Sequence, residues 1–386
     1  MKTFLQISFL CSLFAVFLIG FGLPNLRKYL KDESVEVMSK EILKSSTQAP
    51  AITICPINPN SGVGLKTNQT KQPNDTFFKM MCGQWETAQD IEKCVIEQTY
   101  KISEAVPNIS HAGSFLHFKP SKNSEQFTTD ITCIGCGWGQ CYTLEKNATI
   151  LTFGKLEFGP LTFALNKSLN FDIFFHDKRF FYISMNPGMT PGFRLSFRQK
   201  DNLTRIVSLK AIKQVKRNTF SNPCHEDTEY SFTDCIREKI EDEVGCLLPW
   251  KRATKNKKLE LCKTIERFVK FEKKFYEIND KTPTDITNEY GCQIPCEYTE
   301  YVLVEDLPVA DDLKNILKLN FNLKILHVVL SSREVLVKRE VQLYGLTSLV
   351  GDTGGSLGLF LGFSFVTLWD WAVAVTEAVR SKLRLK

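Results

Sequence analysis

Histidine is scarce in this chain, five among 386 residues, and the two in its middle, His176 and His225, have no partner at catalytic spacing. No nucleophile–base pair or metal cluster can be assembled, so an enzyme is the least expected reading. A phosphate loop is missing too. The glycines clustered at 351–358 lack the preceding strand and the lysine that such a loop needs. Charge of one sign is not concentrated either: the net +6 is modest and spread along the chain, which argues against nucleic acid as a partner. Cysteine is absent between Cys11 and Cys55 and again after Cys296. Cys133 and Cys136 form a C-x-x-C pair, for which a zinc site would need a second pair; Cys292 and Cys296 could supply one with three residues between them, but an oxidising compartment favours a bridge. A structural bridge is expected at Cys133 and Cys136, and no metal or cofactor.

What is present is two apolar runs, at 4–23 and 343–379, bracketing roughly 320 polar residues. The first run is twenty uncharged residues ending in Gly22-Leu23-Pro24-Asn25, a poor cleavage site, so a retained helix is favoured over a signal peptide. Arg27, Lys28 and Lys31 follow it on what would be the outer flank, against the usual charge bias. Arg380, Lys382, Arg384 and Lys386 fit a cytoplasmic flank for the second run. Twelve cysteines lie between Cys55 and Cys296, an even number. Six sequons share that region, at Asn68, Asn74, Asn108, Asn147, Asn166 and Asn202. Together they mark an extracellular, disulfide-bonded and glycosylated domain.

The second run is long enough to cross a bilayer core of about 30 Å, yet it carries Asp352, Asp370 and Glu377. Intramembrane carboxylates are costly, and their default reading is functional. On a 3.6-residue helix Asp352, Ser356, Phe363, Thr367, Asp370, Ala374 and Glu377 fall near one stripe. Gly354, Gly358 and Gly362 recur every fourth residue, the spacing that lets helices approach closely. A single anchor helix dimerising through those glycines is the plain alternative. A conducting helix is favoured because Asp370 lies too deep to snorkel.

The stretch Gly351-Asp352-Thr353-Gly354-Gly355 through Trp369-Asp370 resembles the second transmembrane segment of the degenerin/epithelial sodium channel family, which includes the acid-sensing channels. Residues 49–58, with Ile52-Thr53-Ile54-Cys55, are similar to the family's post-helix strand, and Gly139-Gln140-Cys141-Tyr142-Thr143 resembles another of its strands. The resemblance implies a selectivity filter at Gly362-Phe363-Ser364, an acidic pore residue at Asp370, and a small pore-mouth residue at Ser348. Ser356, Thr367 and Glu377 would line the pore with them. It also implies the bridges Cys55–Cys141, Cys224–Cys296, Cys235–Cys292 and Cys246–Cys262, the last three stapling a helical thumb at 224–296. Cys82 and Cys94 are expected to form a local bridge.

The expected fold is two transmembrane helices with a large disulfide-rich α+β extracellular domain. Its boundaries are a minimal cytoplasmic N-terminus at 1–3, helix 4–23, ectodomain 24–348, pore helix 349–379 and cytoplasmic tail 380–386. The expected function is a pore-forming subunit of a trimeric, sodium-preferring, amiloride-sensitive cation channel in the plasma membrane. Its partners would be sodium ions, identical or related subunits, and membrane lipid. A non-conducting or accessory membrane-anchored subunit is the alternative, and an ATP-gated purinergic-type channel is disfavoured by the motifs. Relatives carry a longer N-terminus with a His-Gly gating dipeptide, which does not occur before residue 4 here.

Between the ends, short apolar alternations from 150 to 216 read as strands. Ile236, Ile240 and Val244 read as a helix, and residues 257–278 as a second, with Leu261 on its apolar face. Pro308 is expected to open a short helix reaching about residue 319, with strands at 322–331 and 334–343 leading into the pore. The acidic residues Asp227, Glu229, Glu241, Asp242 and Glu243 are read as a solvated helix face rather than a proton-sensing pocket.

Overall fold

The computed structural model describes residues 17–42, 50–60, 97–110, 127–131, 140–144, 161–180, 192–198, 204–219, 222–247, 259–309, 323–332 and 334–361. It also describes positions 15, 93, 94, 369, 370, 373, 374, 376, 377 and 380. The chain divides into two compact units, Met38–Arg339 and the pair of ends Met1–Val37 with Glu340–Lys386.

The larger unit is built from two sheets. β2 (Ala51–Ile57) and β7 (Asn170–His176) pair antiparallel at the centre of the smaller sheet, flanked by β4 (Phe127–Ile131), β5 (Gln140–Leu144) and β8 (Phe193–Phe197) in the order β4-β5-β2-β7-β8. All seven residues of β7 are buried, which is why its sequence, NFDIFFH, is phenylalanine-rich rather than alternating. The larger sheet has the order β1-β14-β9-β13-β6-β3, with β12 also paired to β9. Here β1 is Ser34–Ile42, β3 Asn108–Ser110, β6 Leu161–Asn166, β9 Thr204–Val215, β12 Glu297–Val309, β13 Leu323–Leu330 and β14 Glu334–Gln342. Ile52, Ile54, Phe171, Ile173 and Phe175 of one sheet share a single core with Phe163, Val207, Leu209, Leu326 and Val328 of the other. β9 is the strand that three others of the larger sheet pair with. Its first half runs parallel to β13, its second half parallel to β14, and its other edge pairs antiparallel with β12.

Polar groups inside this core are paired across strands. Asp172 is buried and accepts from Arg194 Nη2 and Ser196 Oγ, each at 2.6 Å, from the neighbouring β8. Thr53 Oγ1 lies 2.8 Å from Thr143 Oγ1 and 2.7 Å from His176 Nε2. His327, buried on β13, faces Thr162 Oγ1 of β6 at 2.8 Å. The two buried histidines are therefore structural. Burial pushes the His327 pKa down to about 4 from an ordinary 6.5. Above pH 6.5 neither the folded nor the unfolded chain protonates it. As pH falls from about 6.5 towards about 4, the unfolded chain takes a proton that the folded chain refuses, and stability drops. The expected loss at pH 4.5 is on the order of 2 kcal/mol, and thermal unfolding of His327→Gln against the parent at pH 7.5 and 4.5 measures it.

The cysteine-rich helical part has its own core of Phe180, Phe232, Ile236, Ile240, Phe268, Phe271, Ile278, Ile286 and Tyr298. Helix Phe232–Val244 is N-capped by Ser231 and closed by Gly245 at φ 76°, the left-handed position that favours glycine. Helix Ile265–Asn279 starts at Thr264, whose side chain accepts from Arg267 N. Residues 259–264 lie before it, with Leu261 exposed and bridged to Leu247. Helix Pro283–Tyr290 carries a capping box of Thr282 and Asp285. Bonds Cys224–Cys296, Cys235–Cys292 and Cys246–Cys262 staple this part, and Cys55–Cys141 ties β2 to β5. Cys94 is bonded as well, while Cys82, Cys133 and Cys136 lie outside the described residues.

Three expectations are corrected. The second thumb helix begins at Ile265, not 257, so Leu261 is not on its face. Pro308 belongs to β12, paired opposite Arg205, and opens no helix; among the described strands β12 pairs with β9 alone, and an edge strand is where proline is tolerated. Glu241 is no solvated residue: it is buried at 3 % exposure, 3.7 Å from Arg237 Nε.

Candidate functional site

The smaller unit is made by the two ends of the chain. A π turn, Leu18–Gly22, leads into helix α1, Leu23–Lys31, which runs past the expected end at residue 23. Pro24 sits in its first turn, where the missing N–H has no helical partner to lose. Asp32, at φ 52°, closes the helix, and β1 follows within two residues. At the other end β14 gives way after Gln342 to helix Leu346–Leu361, designated αC. At 16 residues αC rises about 24 Å. Among the described residues no helix is long and apolar enough to cross a membrane.

Between the two helices the contacts are specific. Leu343 N donates to Glu33 O at 2.8 Å, joining the two connecting segments. Lys28 Nζ lies 5.9 Å from the centre of the Tyr344 ring, within cation–π range. The Tyr344 hydroxyl donates to Asp352 Oδ2 at 2.8 Å. Loss of solvent first, and the Asp352 carboxylate second, hold the Tyr344 phenol above its ordinary pKa. Asp352 was expected among the polar stripe facing an ion path; its carboxylate is engaged by a residue of its own chain, two helical turns back. Tyr344 has no signal in the sequence, because a residue before the helix start carries no helical periodicity, and Lys28 stands out there only as one of three flanking cations.

Of the other expected site residues, Ser348 is exposed in the first turn of αC. Ser356 is half-buried, and its hydroxyl donates back to Asp352 O at 2.6 Å, the usual way a helical serine spends its hydroxyl. Asp370 and Glu377 are helical and exposed, seven residues apart and so on one face. Gly362, Phe363, Ser364 and Thr367 lie outside the described residues. A Cβ added at Gly351, Gly354 or Gly355 would meet nothing within 4 Å. Nothing described within the chain requires these positions to be small. Leu346, Val350 and Trp369 are each at least 60 % exposed, leaving large apolar side chains uncovered on the same run.

Of the sequons, Asn166 is the one whose side chain is described. It closes β6, with Nδ2 donating to Glu104 O at 2.9 Å and Oδ1 accepting from Ser168 N and Oγ. Asn108 lies in β3, and the side chains of Asn68, Asn74, Asn147 and Asn202 are outside the described residues.

The described residues form a disulfide-bonded α+β unit and a helical unit made by the two chain ends, with no metal-binding cluster among them. The family model described as amiloride-sensitive sodium channel matches residues 5–371, and the chain belongs to that family. By family it is an ion-channel subunit. No curated protein matches it. A solved structure described as "Cryo-EM structure of a proton-activated chloride channel" is similar over 93 % of both chains at 8 % identity, with a TM-score of 0.31, too low to argue from.

Proposed function

We propose that this chain is a pore-forming subunit of a trimeric, sodium-preferring, amiloride-sensitive cation channel of the plasma membrane. The observation that carries the reading is that the family match runs through residue 371, taking in Gly362-Phe363-Ser364 and Asp370. Residues 4–23 and 349–379 span the bilayer in this reading, 24–348 lie outside, and 1–3 and 380–386 are cytoplasmic. Polar groups at Gly362–Ser364 replace part of the hydration shell of sodium, and the Asp370 carboxylates, one from each subunit, raise the local cation concentration. Glu377 continues the same face inward. The open glycine positions of αC are where neighbouring subunits approach.

Ser348 at the pore mouth, and Gly351 one turn further on the same face, provide the test. Enlarging either one, by Ser348→Lys or Gly351→Lys, is expected to hold the pore open and raise basal current several-fold in voltage-clamped cells. Amiloride should block that current. Silence from both variants, with the protein present at the surface, would instead support the non-conducting, accessory subunit.

A further inference from the structure

The basic residues Arg27, Lys28 and Lys31 stand on the flank where positive charge is disfavoured. Helix α1 holds all three and no acidic residue in its first turn. Its leucines are uncovered: Leu23 is 56 % exposed, Leu26 41 % and Leu30 69 %, with Ile19 just before them at 68 %. On a 3.6-residue helix Leu23, Leu26 and Leu30 share one face, and Lys28 lies on the opposite side, directed to the Tyr344 ring. The apolar face is therefore on the side of α1 opposite the Tyr344 ring. Arg27 and Lys31 line the edge of the leucine stripe. Lys31 makes an exposed pair with Glu33 at 3.3 Å, of a kind worth little.

An apolar stripe edged with cations, continuous with the uncharged run 4–23, has the pattern of a helix seated at a bilayer surface. We infer that α1 is a phospholipid-headgroup site: its leucines rest in the acyl boundary of the outer leaflet, and Arg27 and Lys31 hold headgroup phosphate. This rests on the membrane-spanning reading of residues 4–23. A phosphate group is the chemistry these two side chains recognise, and lipid is its source because the leucines beside them need an apolar medium. The inference also accounts for basic residues on an outer flank, where charge bias alone would not place them.

The test uses the full chain, purified in detergent and reconstituted into phosphatidylcholine vesicles with and without phosphatidylglycerol. Alkaline carbonate extraction comes first; release of the parent from the vesicles would defeat the membrane-spanning reading itself. With insertion established, the thermal unfolding midpoint and the lipid retained on re-extraction, counted by mass spectrometry, are the readouts. The parent is expected to be stabilised by phosphatidylglycerol and to retain it over phosphatidylcholine. Arg27→Gln/Lys31→Gln, which keeps good helix formers in place, should lower that preference roughly thirtyfold at low ionic strength, and less as salt rises. Arg27→Lys should keep the preference. Lys101→Gln/Lys167→Gln removes two exposed charges elsewhere and should change nothing. Equal phosphatidylglycerol retention by Arg27→Gln/Lys31→Gln and the parent would overturn the inference. So would equal stabilisation by inorganic phosphate in detergent, or α1-to-α1 crosslinks between copies in place of lipid dependence.

Discussion

Asp370→Asn is expected to lower cation conductance roughly tenfold, the scale on which a ring of charges concentrates its counter-ions. Asp370→Glu should restore most of it. The side chain is exposed on its helix, so the change removes charge without removing packing. Surface expression should therefore stay at the parent level, which separates a pore effect from a folding effect. Raising the bath salt should narrow the gap between Asp370→Asn and the parent, because screening weakens the field of the parent's ring. Glu377→Gln, on the same face seven residues on, should act in the same direction. An Asp370→Asn channel with unchanged conductance and selectivity would take Asp370 out of the ion path.

The largest expected effect on stability comes from the bond buried deepest in the sheets. Cys55 and Cys141 are both fully buried, packed with Ile57 and Phe174, and close a loop of 86 residues. Removing that cross-link by Cys55→Ala/Cys141→Ala frees the unfolded chain by about 4.5 kcal/mol. A domain holds only about 5–15 kcal/mol in all, so this variant should be retained inside the cell rather than reach the surface. Cys246–Cys262 closes only 16 residues, and its removal should cost about 3 kcal/mol, leaving a measurable surface fraction. Non-reducing mobility and surface biotinylation read both. Normal trafficking of Cys55→Ala/Cys141→Ala would show that the sheets do not depend on the bond.

The elements legible in the sequence were those whose pattern coincides with their burial. β2 alternates β-branched residues into a covered strand, and Ile236, Ile240 and Val244 are buried together on one helix. The cysteine pairs came from resemblance, not from spacing, since even cysteines allow many pairings. Where burial and pattern part, the reading failed. β1 is exposed along all nine residues, so it presents no alternation to the core that would mark it as a strand. Pro308 reads as the start of a helix, yet it sits on a strand paired with β9. The stretch before Ile265 has helix-forming residues, but the Cys246–Cys262 bond and the Leu247–Leu261 bridge hold it extended until Thr264 can cap. In the site, Asp352 was visible as a charge in an apolar run. Its partner Tyr344 was not, because a contact across a helix start has no repeat to reveal it.

One measurement bears on the central claim most directly: single-channel recording from the purified chain in a planar bilayer under a sodium gradient, with N-methylglucamine replacing sodium on one side. The account predicts a reversal potential that follows the sodium gradient and openings abolished by amiloride. Inserted protein with no openings, or a reversal potential that follows the anion, would contradict it.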